Sequence, residues 1–267
     1  MATAAALAAE DDPVALFDAR RLAFFRRIFA GFLAKHVRAL RIAPWGRPAE
    51  PPPGAPLVVL ANHPSWWDGV AFMLLSADLF PGRRMFIPMD AEALAKYAFF
   101  RRIGCFPVAP GARGAAAFLR TARHVLASDP SHMLWMNAPG RFQDARERPV
   151  AVAAGVTRLP DMAPTATVLP LALEMTFWGE RKPEMLAAFG PPVPDLATLP
   201  RPAREAAIRD ALTATMDRLA ADALSRDPAR LPALRQGREG MGGAYDLYRR
   251  ARAALRGERY DARHEAR

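Results

Sequence analysis

Pro56-Leu57-Val58-Val59-Leu60-Ala61-Asn62-His63-Pro64-Ser65-Trp66-Trp67-Asp68 decides how the rest of this chain is read. Its apolar run from Leu57 to Ala61 has the length of a buried strand and stops at polar and turn-forming residues. A helix-like apolar pattern restarts at Gly69-Val70-Ala71-Phe72-Met73-Leu74-Leu75, which puts His63 at a strand-to-helix corner. Asp68 follows His63 by five positions. If the corner folds back into the first helical turn, that carboxylate reaches one imidazole nitrogen and leaves the other facing a cleft, which is the arrangement of a general base. A His near an Asp, taken alone, is more often a structural hydrogen bond, so the decision rests on the surrounding chain.

Working outward, strands and helices alternate. Arg84 to Pro88 predicts a strand and Ala91 to Arg102 a helix, with Tyr97, Phe99 and Phe100 beside Arg101 and Arg102. Ala115 to Ala127 predicts a helix, and Met133 to Asn137 a buried strand that ends in the turn Pro139-Gly140-Arg141. Val150 to Leu159 reads as a short helix, Ala166 to Met175 and Leu186 to Phe189 as strands, and Ala203 to Leu224 as a helix. The fold class that follows is α/β, a mixed and largely parallel central sheet flanked by helices. In open sheets of this kind the crevice forms at the carboxyl ends of the strands, which brings the 139–141 turn to the same edge as His63. Arg141 can then hold a phosphate with its planar fork, with Arg146 and Arg148 as weaker alternatives in a mixed-charge loop. Arg113, in Pro110-Gly111-Ala112-Arg113-Gly114, stands where a helix N-terminus can receive an anion. Ser65, Trp66, Gly140, Arg141 and Arg113 are the candidate substrate-binding residues, and His63 and Asp68 the candidate catalytic pair, with a structural hydrogen bond as the alternative for that pair.

Residues 14 to 42 read as one amphipathic helix. Phe24, Phe25, Ile28, Phe29, Phe32, Leu33 and Leu40 share one half, and Arg20, Arg26, Arg27, Arg38 and Arg41 the other. Its longest uncharged run, Ile28 to Ala34, falls far short of the roughly 20 residues of a membrane span. Such a helix either covers a core or lies in the interface of an anionic membrane, and five phenylalanines favour the second. The expected organisation is therefore a membrane-associating helix over 1–43, a Pro-rich linker over 44–56, a core over 57–200 and a helical extension over 201–267. That extension ends in a basic tail carrying Arg249, Arg250, Arg252 and Arg256.

The totals narrow the partners. A chain of 267 residues, 51% apolar, can bury one substantial core. A net charge of +10 and a pI near 10.8 imply an anionic partner: nucleic acid, a membrane surface or a phosphorylated substrate. No nucleic-acid motif is present, and the basic residues are spread along the chain, so no nucleic-acid partner is expected; a non-enzymatic basic protein binding nucleic acid or membrane is the rival reading. The single Cys105 allows no internal disulfide and fits a reducing compartment. The N-terminus lacks the pattern of a signal peptide. The 110–114 glycines lack the Gly-Lys-Ser/Thr ending of a P-loop, and no Gly-x-Ser-x-Gly elbow occurs. Neither His124 nor His132 has the spacing of a metal ligand, so no metal is expected.

His63-Pro64-Ser65-Trp66-Trp67-Asp68 resembles the H-x4-D block of the glycerolipid acyltransferases, the family that includes 1-acylglycerol-3-phosphate acyltransferase. Later blocks follow in order. Ile103-Gly104-Cys105-Phe106-Pro107-Val108 partly matches the second, with Pro110 where an Arg is usual and Arg113 as the nearest substitute. Leu134-Trp135-Met136-Asn137-Ala138-Pro139-Gly140-Arg141-Phe142 corresponds to the third, with Pro139 in place of its glutamate, and Val168-Leu169-Pro170-Leu171 to the fourth. The resemblance covers about half the chain. It implies that His63 takes the proton from an acceptor hydroxyl, that Asp68 holds it in place, and that the donor is acyl-CoA or acyl carrier protein with no further cofactor. The implied setting is the cytoplasmic face of the membrane, peripherally bound. The implied acceptor is a lysolipid, either lysophosphatidate or one without a phosphate such as a lyso-ornithine lipid.

Overall fold

The computed structural model describes residues 11–48, 54–238, 248 and 251–255. Its centre is an eight-stranded sheet with helices on both faces. In chain order the strands are β1 (Ala39–Ile42), β2 (Leu57–Ala61), β3 (Arg84–Asp90), β4 (Cys105–Val108), β5 (His132–Asn137), β6 (Thr167–Thr176), β7 (Glu184–Phe189) and β8 (Ala233–Gln236). They are arranged β4-β3-β5-β2-β6-β7-β1-β8. The five strands from β4 to β6 are mutually parallel; β7 runs antiparallel to β6, β1 parallel to β7, and β8 antiparallel to β1. The α/β class expected from the alternation is the class observed.

Continuous apolar strands belong in the middle of such a sheet because helices cover both of their faces. β2 is buried at all five positions and lies between β5 and β6. One face of the sheet, from Leu57, Val59, Trp135 and Leu169, packs under α2 (Ala19–His36) and α3 (Asp68–Leu79). The opposite face, from Val58, Leu60, Leu134 and Val168, packs under α5 (Gly111–Ser128) and α7 (Arg201–Ser225). The short helices α1 (Pro13–Leu16), α4 (Ala91–Lys96) and α6 (Leu159–Met162) fill the periphery. Because α3 is sandwiched between the sheet and α2, its apolar residues run all the way round it: Val70 through Leu75 are each buried.

Several elements depart from the sequence reading. The helix expected over 14–42 is broken by Asp18, whose carboxylate caps α2 by accepting from the N–H groups of Arg20 and Arg21. It ends at His36, and residues 39–42 form a fully buried strand. Arg41, expected on the solvent side, is 7% exposed. Its guanidinium donates to Glu184 at 2.9 Å and lies 4.6 Å from the centre of the Trp178 ring. The neighbouring strand, β7, lies far along the chain, so helical spacing was the only local signal. The 91–102 helix splits at Tyr97 into α4 and a 3-10 turn over Ala98–Ile103. Val150 to Leu159 is not one helix: a 3-10 turn at Val156–Arg158 runs into α6. β4 and β8 were not anticipated. Arg252 is exposed, while Arg249, Arg250 and Arg256 of the expected basic patch lie outside the described residues.

Candidate active site

The carboxyl ends of β2, β3, β4, β5 and β6 share one edge of the sheet, and His63 stands just past the end of β2. Asn62 fixes where the chain leaves the sheet. Its buried carboxamide donates to the carbonyl of Leu173 at 2.9 Å and accepts from the N–H of the same residue at 2.8 Å, prolonging the pairing with β6 by one side chain. Asn62→Ala leaves both buried backbone groups unpaired, so it is expected to cost about 2 to 4 kcal/mol of stability, read from the shift of a denaturant midpoint at unchanged slope.

Past Asn62 the corner is held by its own polar groups. Trp67 N–H donates to Ser65 Oγ at 3.2 Å, and Asp68 N–H to the Ser65 carbonyl at 3.3 Å. The Ser65 hydroxyl donates in turn to Asp68 Oδ1 at 3.3 Å. Asp68 opens α3, and its other oxygen, Oδ2, lies 2.6 Å from His63 Nδ1. The Asp68 side chain is 4% exposed and the His63 side chain 21%. Burial pushes the Asp68 carboxyl above its ordinary 3.8, against the opposing pull of the hydrogen bond and charge of His63. A desolvated carboxylate gains most when the group beside it becomes cationic, so Asp68 is placed to stabilise an imidazolium formed during a reaction. With Nδ1–H donating to Asp68, the free lone pair is on Nε2. A shallow cleft beside the pair is lined by Pro64, Ser65, Trp67, Asp68, Glu174 and Met185.

The loop after β5 comes to the same corner. Ala138 N–H donates to the Ala61 carbonyl at 2.7 Å, and Gln143 N–H to the His63 carbonyl at 3.0 Å. Between them Gly140 turns the chain at φ 66°, the left-handed region that glycine enters without steric cost. The Phe142 ring lies on the His63 imidazole, centroids 4.2 Å apart and planes 29° apart. Arg141 is also on this loop, its side chain 62% exposed and 4.0 Å from Glu147. Its two neighbours in the sequence argument are engaged elsewhere, Arg146 with Asp144 at 2.8 Å and Arg148 with Asp217 at 2.6 Å.

The structure thus brings His63, Asp68, Ser65 and the Gly140-Arg141 loop together. Ser65 is bonded to Asp68. Trp66 is 66% exposed and edge-on to Phe32, with centroids 6.1 Å apart. Arg113 is exposed in the first turn of α5, beyond the edge strand β4; three inter-strand steps of about 4.8 Å put β4 roughly 14 Å from β2. Sequence reasoning missed Asn62, Phe142 and Gln143 as parts of this site. Asn62 lies inside the quoted stretch, and a polar residue closing an apolar strand was the available signal. Cys105 is buried, and burial pushes its thiol up to about 12, so it supplies no nucleophile at neutral pH.

No curated protein matches the chain in sequence. Residues 47–174, a stretch that contains the whole His63 corner and the loop that closes over it, match the family model described as Acyltransferase, and the match supports O-acyl transfer as the general activity.

Proposed function

We propose that this protein moves a fatty acyl group from acyl-CoA or acyl carrier protein to the hydroxyl of a lysophospholipid or related lysolipid, with His63 as general base. The observation that carries the proposal is the 2.6 Å bond between His63 and a buried Asp68 at the mouth of the sheet's carboxyl edge. In the first step the acceptor O–H bond breaks, its proton passes to Nε2, and the oxygen attacks the thioester carbonyl carbon. The imidazolium that forms is stabilised by Asp68. Collapse of the tetrahedral adduct breaks the C–S bond, and the proton on Nε2 passes to the departing thiolate, giving an ester and a free thiol. Nothing in these steps calls for a metal or redox cofactor. Purified protein, supplied with labelled palmitoyl-CoA or palmitoyl acyl carrier protein, is expected to acylate at least one of lysophosphatidate, lysophosphatidylcholine and a lyso-ornithine lipid. Transfer to none of them overturns the reading. Arg146 and Arg148 are held in short ion pairs and Arg141 lies in a longer one, 4.0 Å from Glu147, so Arg141 is the fork on that loop most readily turned to a headgroup phosphate, and the panel includes a lipid without one.

We place the enzyme on the cytoplasmic face of a membrane, peripherally bound. No helix among the described residues is long and apolar enough to cross a bilayer. Phe24, Ile28 and Phe32 of α2 are exposed by 56%, 46% and 36%, and Trp66, Tyr97 and Phe99 are exposed as well. Ring contacts link these segments: Phe25 stacks on Phe99 at 4.4 Å, and Phe32 meets Trp66. Exposed Arg20, Arg27, Lys35, Lys96 and Arg102 lie on or beside the same elements. Aromatics at the acyl boundary with cations among phosphates are what an anionic interface binds. The combined substitution Phe24→Ser, Ile28→Ser, Phe99→Ser is expected to weaken partition onto phosphatidylglycerol vesicles by at least about tenfold, given roughly 1 to 2 kcal/mol per buried apolar side chain. Sedimentation with vesicles measures it, and unchanged partition removes the membrane assignment.

A further inference from the structure

Phe142 is 59% exposed, yet its position is fixed from both sides. On one side, Gly140 N–H donates to the Asn137 carbonyl at 3.1 Å, closing the turn. On the other, the residue that follows, Gln143, is 6% exposed, donates its N–H to the His63 carbonyl, and accepts from Ala151 N–H at 3.1 Å through its side chain. A large apolar ring left half in solvent gains little from burial, so packing alone does not account for it. What the ring does touch is the face of the His63 imidazole at 4.2 Å.

We propose that Phe142 is a positioning residue for acyl transfer, holding the His63 ring in plane with Asp68 and stabilising the imidazolium that appears only during the reaction. The inference rests on the reading of His63 as general base. A cation within about 6 Å of an aromatic centroid is attracted by the negative face of the ring, and a neutral imidazole feels much less of this. The interaction is therefore stronger in the transition state than in the resting enzyme, the condition for raising turnover without tightening substrate binding. Asp68 meets the imidazole at its edge and Phe142 at its face, so two independent contacts restrain the ring and oppose its rotation.

The test uses the 267-residue chain, labelled palmitoyl-CoA and whichever panel lysolipid is turned over, with kcat and KM measured for wild type, Phe142→Ala, Phe142→Leu, Phe142→Tyr and His63→Ala. Phe142→Ala and Phe142→Leu are expected to lose roughly 3- to 30-fold in kcat with KM for both substrates unchanged, the range of cation–π attraction from exposed to desolvated settings. Phe142→Tyr, which keeps the aromatic face, is expected to remain within about twofold of wild type. A leucine variant as active as wild type overturns the proposal, since bulk alone then suffices. A loss confined to KM also overturns it, since the ring then contacts substrate and not the base. Thermal melts identify a variant that has failed to fold, and the leucine variant decides the matter if alanine does. His63→Ala separates the two levels: if it retains activity, the base assignment fails, whereas an inactive His63→Ala beside a fully active Phe142→Leu sinks only the role of Phe142.

Discussion

His63→Ala is expected to lower kcat for acyl transfer by about 10^2- to 10^4-fold, the usual contribution of a positioned general base. The acceptor hydroxyl is a weak nucleophile near neutral pH, and Nε2 is the one lone pair that the Asp68 bond leaves pointing away from the carboxylate. On the proposed mechanism, removing the imidazole eliminates the proton acceptor and the donor to the leaving thiolate together. The fold should survive, because the side chain makes one hydrogen bond and its backbone carbonyl still accepts from Gln143. A circular dichroism melt like that of wild type, together with product formation followed from labelled acyl-CoA, checks both halves. Undiminished turnover in a folded variant would mean that the corner is structural.

Asp68→Asn tests the same base from the other side and separates activity from stability. An amide in place of the carboxylate presents an N–H to Nδ1, which drives the imidazole proton onto Nε2 and removes the lone pair that, in the proposed mechanism, accepts the substrate proton. Loss of the negative charge also withdraws stabilisation from the imidazolium. A drop of roughly 10^2 to 10^4 in kcat is expected, as for other wrong-tautomer substitutions. Stability should move the opposite way. The folded carboxyl lies above its ordinary 3.8 because burial penalises its charged form. The native state therefore holds its proton more tightly than the unfolded chain does. Its contribution is fully present below the unfolded value and is lost as pH rises through the higher folded value. Compared with wild type, Asp68→Asn should thus gain stability as pH is raised from below 4 towards neutrality. Denaturant titrations at both ends of that range measure the gain. A variant that is less stable at neutral pH would show that the ionised carboxylate is a net structural asset.

What the sequence made legible was whatever local chemistry controls. β2 is an uninterrupted apolar run bounded by turn residues, and an imidazole five positions before a carboxylate can close on it within one helical turn, so the corner emerged from fewer than fifteen residues. β1 was misread because Ala39-Leu40-Arg41-Ile42 continues the apolar spacing of the preceding helix; what makes it a strand is a partner, β7, nearly 150 positions away. Arg41 followed the same logic: an arginine between apolar residues suggests solvent until Glu184 and Trp178 are seen around it. Phe142 was invisible as part of the site for a related reason. Nothing near it in the chain says that Gln143 will bond to the backbone of His63, and only that bond fixes the ring over the imidazole. Arg141, by contrast, was placed at the correct edge by the parallel-sheet argument alone, because strand direction follows from topology and not from side-chain detail.

The insertion of β1 between β7 and β8 has a consequence for synthesis. Ala39 pairs with Glu184 on one side and Gln236 on the other, so when the ribosome has released β1 neither neighbour yet exists. Pairings this distant form slowly, and until then the strand that follows the helix bearing Phe24, Phe25, Phe29 and Phe32 has no partner to anchor it. The nascent chain thus shows this phenylalanine-bearing helix, not yet tethered at its C-terminal end, until β7 is made, and whatever binds there first, a chaperone or a bilayer, does so before the chain has its fold.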